Sequence, residues 1–410
     1  MASGVLLLLL ALPAGSEPAA QPKAKNIILM ISDGQGFNAI RAASYYSREK
    51  AVYESFNHKY GMQTFSAGKR GGFAGKPYEP AGMAKDFNYA KGGATDSAAA
   101  ATAMFSGVKI YDWEVNYTPG RKALTTYFEK AARAGKSIGV VTNVSYTDAT
   151  PAAVYGHNSS RRNFAALAFE AANGSNPLNN MPDSMFNPSA GDNNGYDAQG
   201  YNGNLKFIIG KGAPAYAAWA SGKPTLAGMA AAALKTLGPD PDGFAVMIEC
   251  GTVDGAGHDN KLRPLIEEQI GFNNAVQEVA GYLDRNTDGN NWGNTLVIVT
   301  ADHETGHLWG DGTGTFFDVN GNGVFDEGVD YAHVKDRGKK KLPGARFHSR
   351  SHTNALVPLY AKGAGAEAFS RCVIGTDPNL RAIYDLDESW SGRYIDNTCV
   401  YRAMSGASLN

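Results

Sequence analysis

The chain has 410 residues, 43% apolar and 19% charged, and its 38 basic and 39 acidic side chains leave a formal net charge of -1. That makeup is that of an ordered globular protein, and near-neutrality without a basic stripe interleaved with aromatics argues against a nucleic-acid surface. The length suits two or three average domains or one large α/β domain.

The N-terminus, MASGVLLLLLALPAGSEPAAQPKAKN, carries an apolar stretch from Val5 to Leu12 followed by small residues and prolines. It is too short to span a bilayer and resembles the hydrophobic and cleavage regions of a secretory signal peptide over residues 1–22, although no Lys or Arg precedes the stretch. An exported protein, periplasmic or secreted, is therefore expected, with residues 23–410 forming one catalytic domain. Asn26 to Ile31 then reads as a strand that ends in Ser32-Asp33-Gly34. Gly92 to Ala103 (GGATDSAAAATA) has two readings. It is either a close-packed alanine helix with a polar cap, or a serine nucleophile, Ser97, at a helix N-terminus where N–H groups favour an anion.

Leu124 to Ala134 has a helical pattern, Ser137 to Val144 reads as a strand leading to Asp148-Ala149-Thr150, and Ala165 to Ala172 is helical again. Residues 176–204, rich in Gly, Asn and Asp, read as a surface excursion. Phe244 to Ile248 is strand-like and ends at Glu249, and Asp254-Gly-Ala-Gly-His258 follows, a spacing that turns carboxylate and imidazole toward one metal. After a helical Leu265 to Leu283, the strand-like Leu296 to Val299 runs into Asp302-His303. A second excursion over residues 309–350 contains Lys339-Lys340-Lys341, read as a solvated loop, and Ser351-His352-Thr353 comes after it. Continuous apolar strands alternating with helices predict an α/β fold, a three-layer sandwich around a mostly parallel sheet, with ligands at the carboxyl ends of its strands.

Three cysteines rule out a disulfide framework. Cys372 and Cys399 are near enough in sequence to close one loop in an oxidising compartment, and Cys250 reads as a buried thiol. The loops opening at Asp284 and Asp318 resemble the start of calcium loops but lack the carboxylate at the twelfth position, where Thr295 and Val329 stand, so structural Ca²⁺ competes there with plain Asx turns. His58, His157, His307, His333 and His348 are read as hydrogen-bonded structural residues.

Taken together, SDGQG, TDSAAAATA, DATPA with downstream SSRR, IECGTVDGAGHDN, TADHETGH and SHTNALVP make the chain resemble the alkaline phosphatases over nearly its whole mature length. The resemblance implies a phosphomonoesterase with two Zn²⁺, one Mg²⁺ and a covalent phosphoserine on Ser97. It assigns one zinc to Asp254, His258 and His352, and the other to Asp33, Asp302 and His303. Magnesium would lie near Asp33, Thr150 and Glu249, with Asp148 holding a metal-bound water. Arg161 would fork onto the phosphate, oriented by Asp96. Charge supports the assignment, because five carboxylates and a deprotonated Ser97 carry six negative charges and three divalent cations balance them. Family members are commonly homodimers.

Two departures stand out. Gly255 follows Asp254 where some relatives carry a larger side chain, which predicts a more open phosphate site. Asp148 replaces a histidine of other relatives, and an oxygen ligand favours magnesium. Phosphate monoesters are thus the expected partners, with no membrane span. The competing reading keeps the superfamily and changes the reaction to phosphodiester, sulfate ester or phosphomutase chemistry. A non-enzymatic metal-binding protein would need the ligands without Ser97 and Arg161.

Overall fold

A computed structural model describes residues 23–120, 122–173, 205–211, 224–312 and 314–409. The expected signal segment and the excursion at 176–204 lie outside the described residues. Nine strands form one sheet: β1 (Asn26–Ser32), β2 (His58–Gln63), β3 (Ser137–Ser145), β4 (Leu205–Lys211), β5 (Phe244–Cys250), β6 (Thr295–Thr300), β7 (Val357–Gly363), β8 (Val373–Thr376) and β9 (Arg393–Asp396), in the order β8-β9-β2-β7-β6-β1-β5-β3-β4. The centre, β6-β1-β5-β3-β4, is parallel, whereas β7 runs antiparallel to both β6 and β2.

The apolar runs are continuous because both faces of the central strands are covered. On β1, Ile28 and Met30 join one core, while Ile27, Leu29 and Ile31 join the other. The same alternation places Val246 and Ile248 of β5 with the first core, and Ala245 and Met247 with the second. The first face is covered by α1 (Phe37–Ser47) and by helices following β4 and β5. The second packs α2 (Ser97–Ser106), α3 (Tyr127–Arg133) and, after β3, α4 (Ala149–Ala152) and α5 (Phe164–Asn173). Three-layer α/β architecture follows directly from that two-sided burial.

Every residue of α2 is buried, which explains its alanines: small side chains let the helix press against the C-terminal helix Thr398–Ser408. Asp96 caps it by accepting from the Ala99 N–H at 3.0 Å, and Gly107 ends it in the left-handed region. Between β4 and β5 lies α6 (Leu226–Leu237), and after β5 come α7 (Thr252–His258) and α8 (Leu262–Arg285). On α8, Leu265, Ile266, Gln269, Phe272, Val276, Val279 and Leu283 recur every three or four residues and are buried, each apolar one stabilising by about 1.5–3 kcal/mol.

Helix α3 begins later than its apolar pattern, because the Leu124 N–H bonds the Asn116 carbonyl and Thr126 with Glu129 forms a capping box. Residues 309–350 are more than a surface excursion: Trp309, Tyr331 and Val334 are buried in the first core, where Trp309 stacks on Tyr384. Cys372 and Cys399 form a disulfide, and Cys250 is a buried free thiol.

Candidate metal centre

Register sets the site. Ile31 of β1 lies opposite Glu249 of β5 and Thr300 of β6, and Glu249 in turn lies opposite Thr142 of β3. The carboxyl ends of the parallel strands β1, β5 and β6 therefore release Asp33, Glu249 and Asp302 side by side. Asp33 continues the ladder by donating its N–H to the Cys250 carbonyl at 3.0 Å, and Gly34 then turns the chain at φ +81. A Cβ there would sit 2.7 Å from the Asp254 Cα, so only glycine permits the approach of this turn to α7. One turn of α7 puts His258 Nε2 3.4 Å from Asp254 Oδ2. His352 pairs across a short antiparallel ladder with Thr305, which stacks its ring on His303 at 3.5 Å between centroids.

Two groups of side chains can hold a cation among the described residues: Asp254, His258 and His352, and Asp33, Asp254 and His303, the ligand atoms of each within 4.8 Å of one another. Asp302 Oδ2 lies 3.2 Å from His303 Nε2, so it borders the second group. Asp254 belongs to both groups, where the sequence reading gave it to one. Nitrogen and carboxylate oxygen donors suit zinc. Asp33 Oδ1, Asp302 Oδ2 and Thr150 Oγ1 are buried without a hydrogen-bond partner, an arrangement that divalent cations would satisfy.

Charge gives the same answer. Burial, with Asp302, Asp254 and Glu249 adding to it, raises Asp33 well above the usual carboxylate range. Burial also pushes Asp302 up to about 6, Asp254 contributing, and Glu249 up to about 8, Asp148 and Asp302 contributing. Asp254 goes the other way: burial raises it, but His352, His303 and His258 together bring it below the ordinary value. His303 is held far below its usual value by burial and the neighbouring His352, whereas Asp254 lifts His352 against its own burial. Without cations, the cluster keeps protons that ionised ligands must release.

Ser97 opens α2 beside this cluster, its Oγ 3.2 Å from His303 Nε2. Arg161 donates from one terminal nitrogen to Asp96 Oδ2 at 2.9 Å and from the other to Asp148 Oδ1 at 3.0 Å. Asp148 also caps α4, whose first turn carries Thr150. The Glu249 carboxylate accepts from the Thr142 hydroxyl. All twelve site residues expected from the sequence thus gather around the ends of β1, β3, β5 and β6 and the start of α2.

The sequence reading missed the residues that fix the ligands. Thr305 donates to Asp254 Oδ1 at 2.5 Å and lies 3.3 Å from His303 Nδ1. The Arg350 carbonyl is 2.6 Å from His258 Nδ1, and the Thr95 carbonyl 2.8 Å from His352 Nδ1, which leaves each Nε2 for the centre. Thr305 stands two residues after His303, so the signal was present in TADHETGH. Carbonyls carry no signal at all. None of His58, His157, His307, His333 and His348 joins either cation group among the described residues; His157 lies between Glu129 and Glu170, and His307 Nε2 meets the Phe87 carbonyl. In the Asx-rich loops, Asp318 accepts from the Gly321 and Gly323 N–H groups, and Asp288 from Tyr282 and the Asn290 N–H, the bonding of Asx turns.

The chain is similar to known proteins along most of its length. The alkaline phosphatase family model matches residues 24–190 and 202–322. Alkaline phosphatase 4 of Bacillus subtilis is 28% identical over 86% of this chain and 87% of its own length. Alkaline phosphatase 3 of the same organism is 27% identical over 70% of this chain, which spans 62% of that relative. Among solved structures, alkaline phosphatase from the Antarctic bacterium TAB5 superposes with a TM-score of 0.61 at 22% identity, covering 95% of this chain and 99% of its own. A variant of it with a histidine replaced by aspartate, described with Mg bound in the M3 site, gives a TM-score of 0.60 at 22% identity, with the same coverage.

Proposed function

The chain belongs to the alkaline phosphatase family, and from that membership we propose that it hydrolyses phosphate monoesters through a covalent phosphoseryl intermediate on Ser97. The observation that carries this reading is Ser97 Oγ at the buried start of α2, next to the two cation groups and to the Asp96–Arg161 pair. Asp254, His258 and His352 would hold one zinc, and Asp33, Asp302 and His303 the other. Glu249, Thr150 and Asp148 would serve a magnesium site with Asp33. Aspartate at position 148 supports magnesium there, in line with the histidine-to-aspartate variant of the TAB5 enzyme. When bound, the cations supply positive charge that favours the alkoxide of the nucleophile and that of the leaving group.

The chain's own groups do the positioning. Serine Oγ attacks phosphorus in line, the Oγ–P bond forms as the ester P–O bond breaks, and the alcohol departs; water then cleaves the Oγ–P bond and returns the serine. Arg161 presents two terminal nitrogens to phosphate oxygens, and Asp96 and Asp148 keep the fork fixed beforehand. The N-terminus of α2, which Ser97 opens, would favour an anion beside that serine. The disulfide between Cys372 and Cys399 supports a working place in an oxidising compartment, periplasmic or extracellular.

The test is a phosphomonoester assay at mildly alkaline pH on metal-stripped protein, restored with zinc and magnesium, beside Ser97→Ala. Restored protein should release phosphate and trap a phosphoserine on acid quench, and the variant should do neither. Full turnover by Ser97→Ala would sink the mechanism, and a preference for a phosphodiester under the same conditions would sink the substrate class.

A further inference from the structure

The cavity above Ser97 has a volume of about 740 Å³ and extends from Asp254 and His352 past Arg161 to Phe73, Trp113 and Phe164. A phosphate group alone needs far less, and the volume falls in the range of sites for ligands of drug size, about 300–1,000 Å³. The aromatic side chains on its outer part are unusual for this molecule. Phe73, Trp113 and Phe164 are the exposed phenylalanine and tryptophan residues among those described, at 87%, 44% and 50%, and all three line this one cavity. Exposed rings gathered at one concave place mark a binding surface.

Trp113 is also held there against its own backbone preference. Its φ is +74, a region that bulky L residues avoid. The Trp113 carbonyl accepts the Arg161 N–H at 2.7 Å, and the Arg162 guanidinium lies 4.6 Å from the ring centroid. Tryptophan is therefore tied through the main chain to Arg161, and both line the cavity that Ser97 lines. Such strain marks places where position matters more than local comfort.

We propose that Trp113, Phe164 and Phe73, with Arg162, form a subsite for a flat aromatic ring on the alcohol side of the ester, as in a nucleoside 5′-monophosphate. The proposal rests on the phosphomonoesterase reading and deepens it. Stacking suits any base, since every base has a π-face, so the subsite selects nucleosides over ring-free alcohols without choosing among bases. Lys69 and Lys91 attract any phosphate ester of equal charge, so they leave this selection to the rings.

The test compares kcat/KM for adenosine 5′-monophosphate and ribose 5-phosphate on the metal-loaded full chain. Both esters release the same kind of primary alcohol and differ by the base. Wild type should favour the nucleotide by about tenfold or more, as stacking on an aromatic side chain allows. Trp113→Ala and Phe164→Ala should each move that ratio toward one while ribose 5-phosphate turnover stays level. Adenosine without phosphate should inhibit wild type competitively and either variant less. Benzyl phosphate, set against ethyl phosphate, tells a plain ring from a nucleoside: equal gains for both aromatic esters place the recognition in ring stacking alone. A wild-type ratio near one, or a ratio that neither variant alters, overturns the subsite and leaves the phosphatase reading standing. Failure of wild type to hydrolyse either ester overturns that reading, and the subsite with it.

Discussion

Arg161 shows how much of the site depends on shape beyond charge. Its planar guanidinium reaches Asp96 with one terminal nitrogen and Asp148 with the other, and those two carboxylates, opposing its burial, keep it protonated. Lysine would preserve the charge but offer a single point, so it could satisfy only one of the two aspartates and could not give two parallel hydrogen bonds to a phosphate. Each lost charge-assisted bond costs about 1.5–3 kcal/mol, equivalent to roughly ten- to a hundredfold. Arg161→Lys should therefore lower kcat/KM by about that factor and weaken inhibition by inorganic phosphate in parallel. Retention of wild-type phosphate inhibition in this variant would show that the fork does not meet the phosphate.

At the scale of the element, the turn after β1 and the helix α7 constrain each other. Gly34→Ala adds a Cβ at 2.7 Å from the Asp254 Cα in a left-handed backbone, and backbone atoms cannot step aside as a flexible side chain would. This substitution should destabilise by about 2 kcal/mol or more and displace Asp33 from Asp254, to be seen as a lower urea midpoint and weaker zinc retention. Gly255→Ala is its opposite: the position is exposed, lies within α7, and an added Cβ meets no atom within 4 Å. Replacing that helical glycine should stabilise by about 0.5–1 kcal/mol with turnover unchanged. These elements also show what could be read in the sequence. Strands β1, β3, β5 and β6 were visible because two-sided burial makes each a continuous apolar run ending at a polar ligand. Strand β2 contains Gly61, and β7 contains Pro358 and Lys362, so neither has a simple period, and their place in the sheet comes from antiparallel pairing with one another and with β6. The ligands were readable as motifs, whereas the carbonyls of Thr95 and Arg350 that orient two histidines, and the backbone of Trp113, have no counterpart in residue type.

For the molecule as a whole, a net charge of -1 conceals a strong local imbalance. Asp33, Glu249 and Asp302 come together because three parallel strands end at one level, and the fold has no way to separate them without breaking register. In metal-free protein their folded-state pKa values are raised, Asp302 to about 6 and Glu249 to about 8 from ordinary values of 3.8 and 4.5. A carboxyl group with a raised folded pKa binds its proton more tightly when folded, so the folded state is favoured at low pH and loses that advantage as pH rises through the folded value. The window here runs from about pH 4 to about pH 8. Bound divalent cations reverse the sign locally, since the ionised carboxylates are then the favoured ligands. Chelator-treated protein should consequently lose thermal stability as pH rises from 5.5 to 8.5, and the gap in Tm between metal-loaded and metal-free protein should widen over the same interval. Differential scanning calorimetry at several pH values measures both. A gap that stays constant or narrows toward pH 8.5 would mean that the buried carboxylates are not what the cations neutralise, and the charge argument for the metal centre would fail with it.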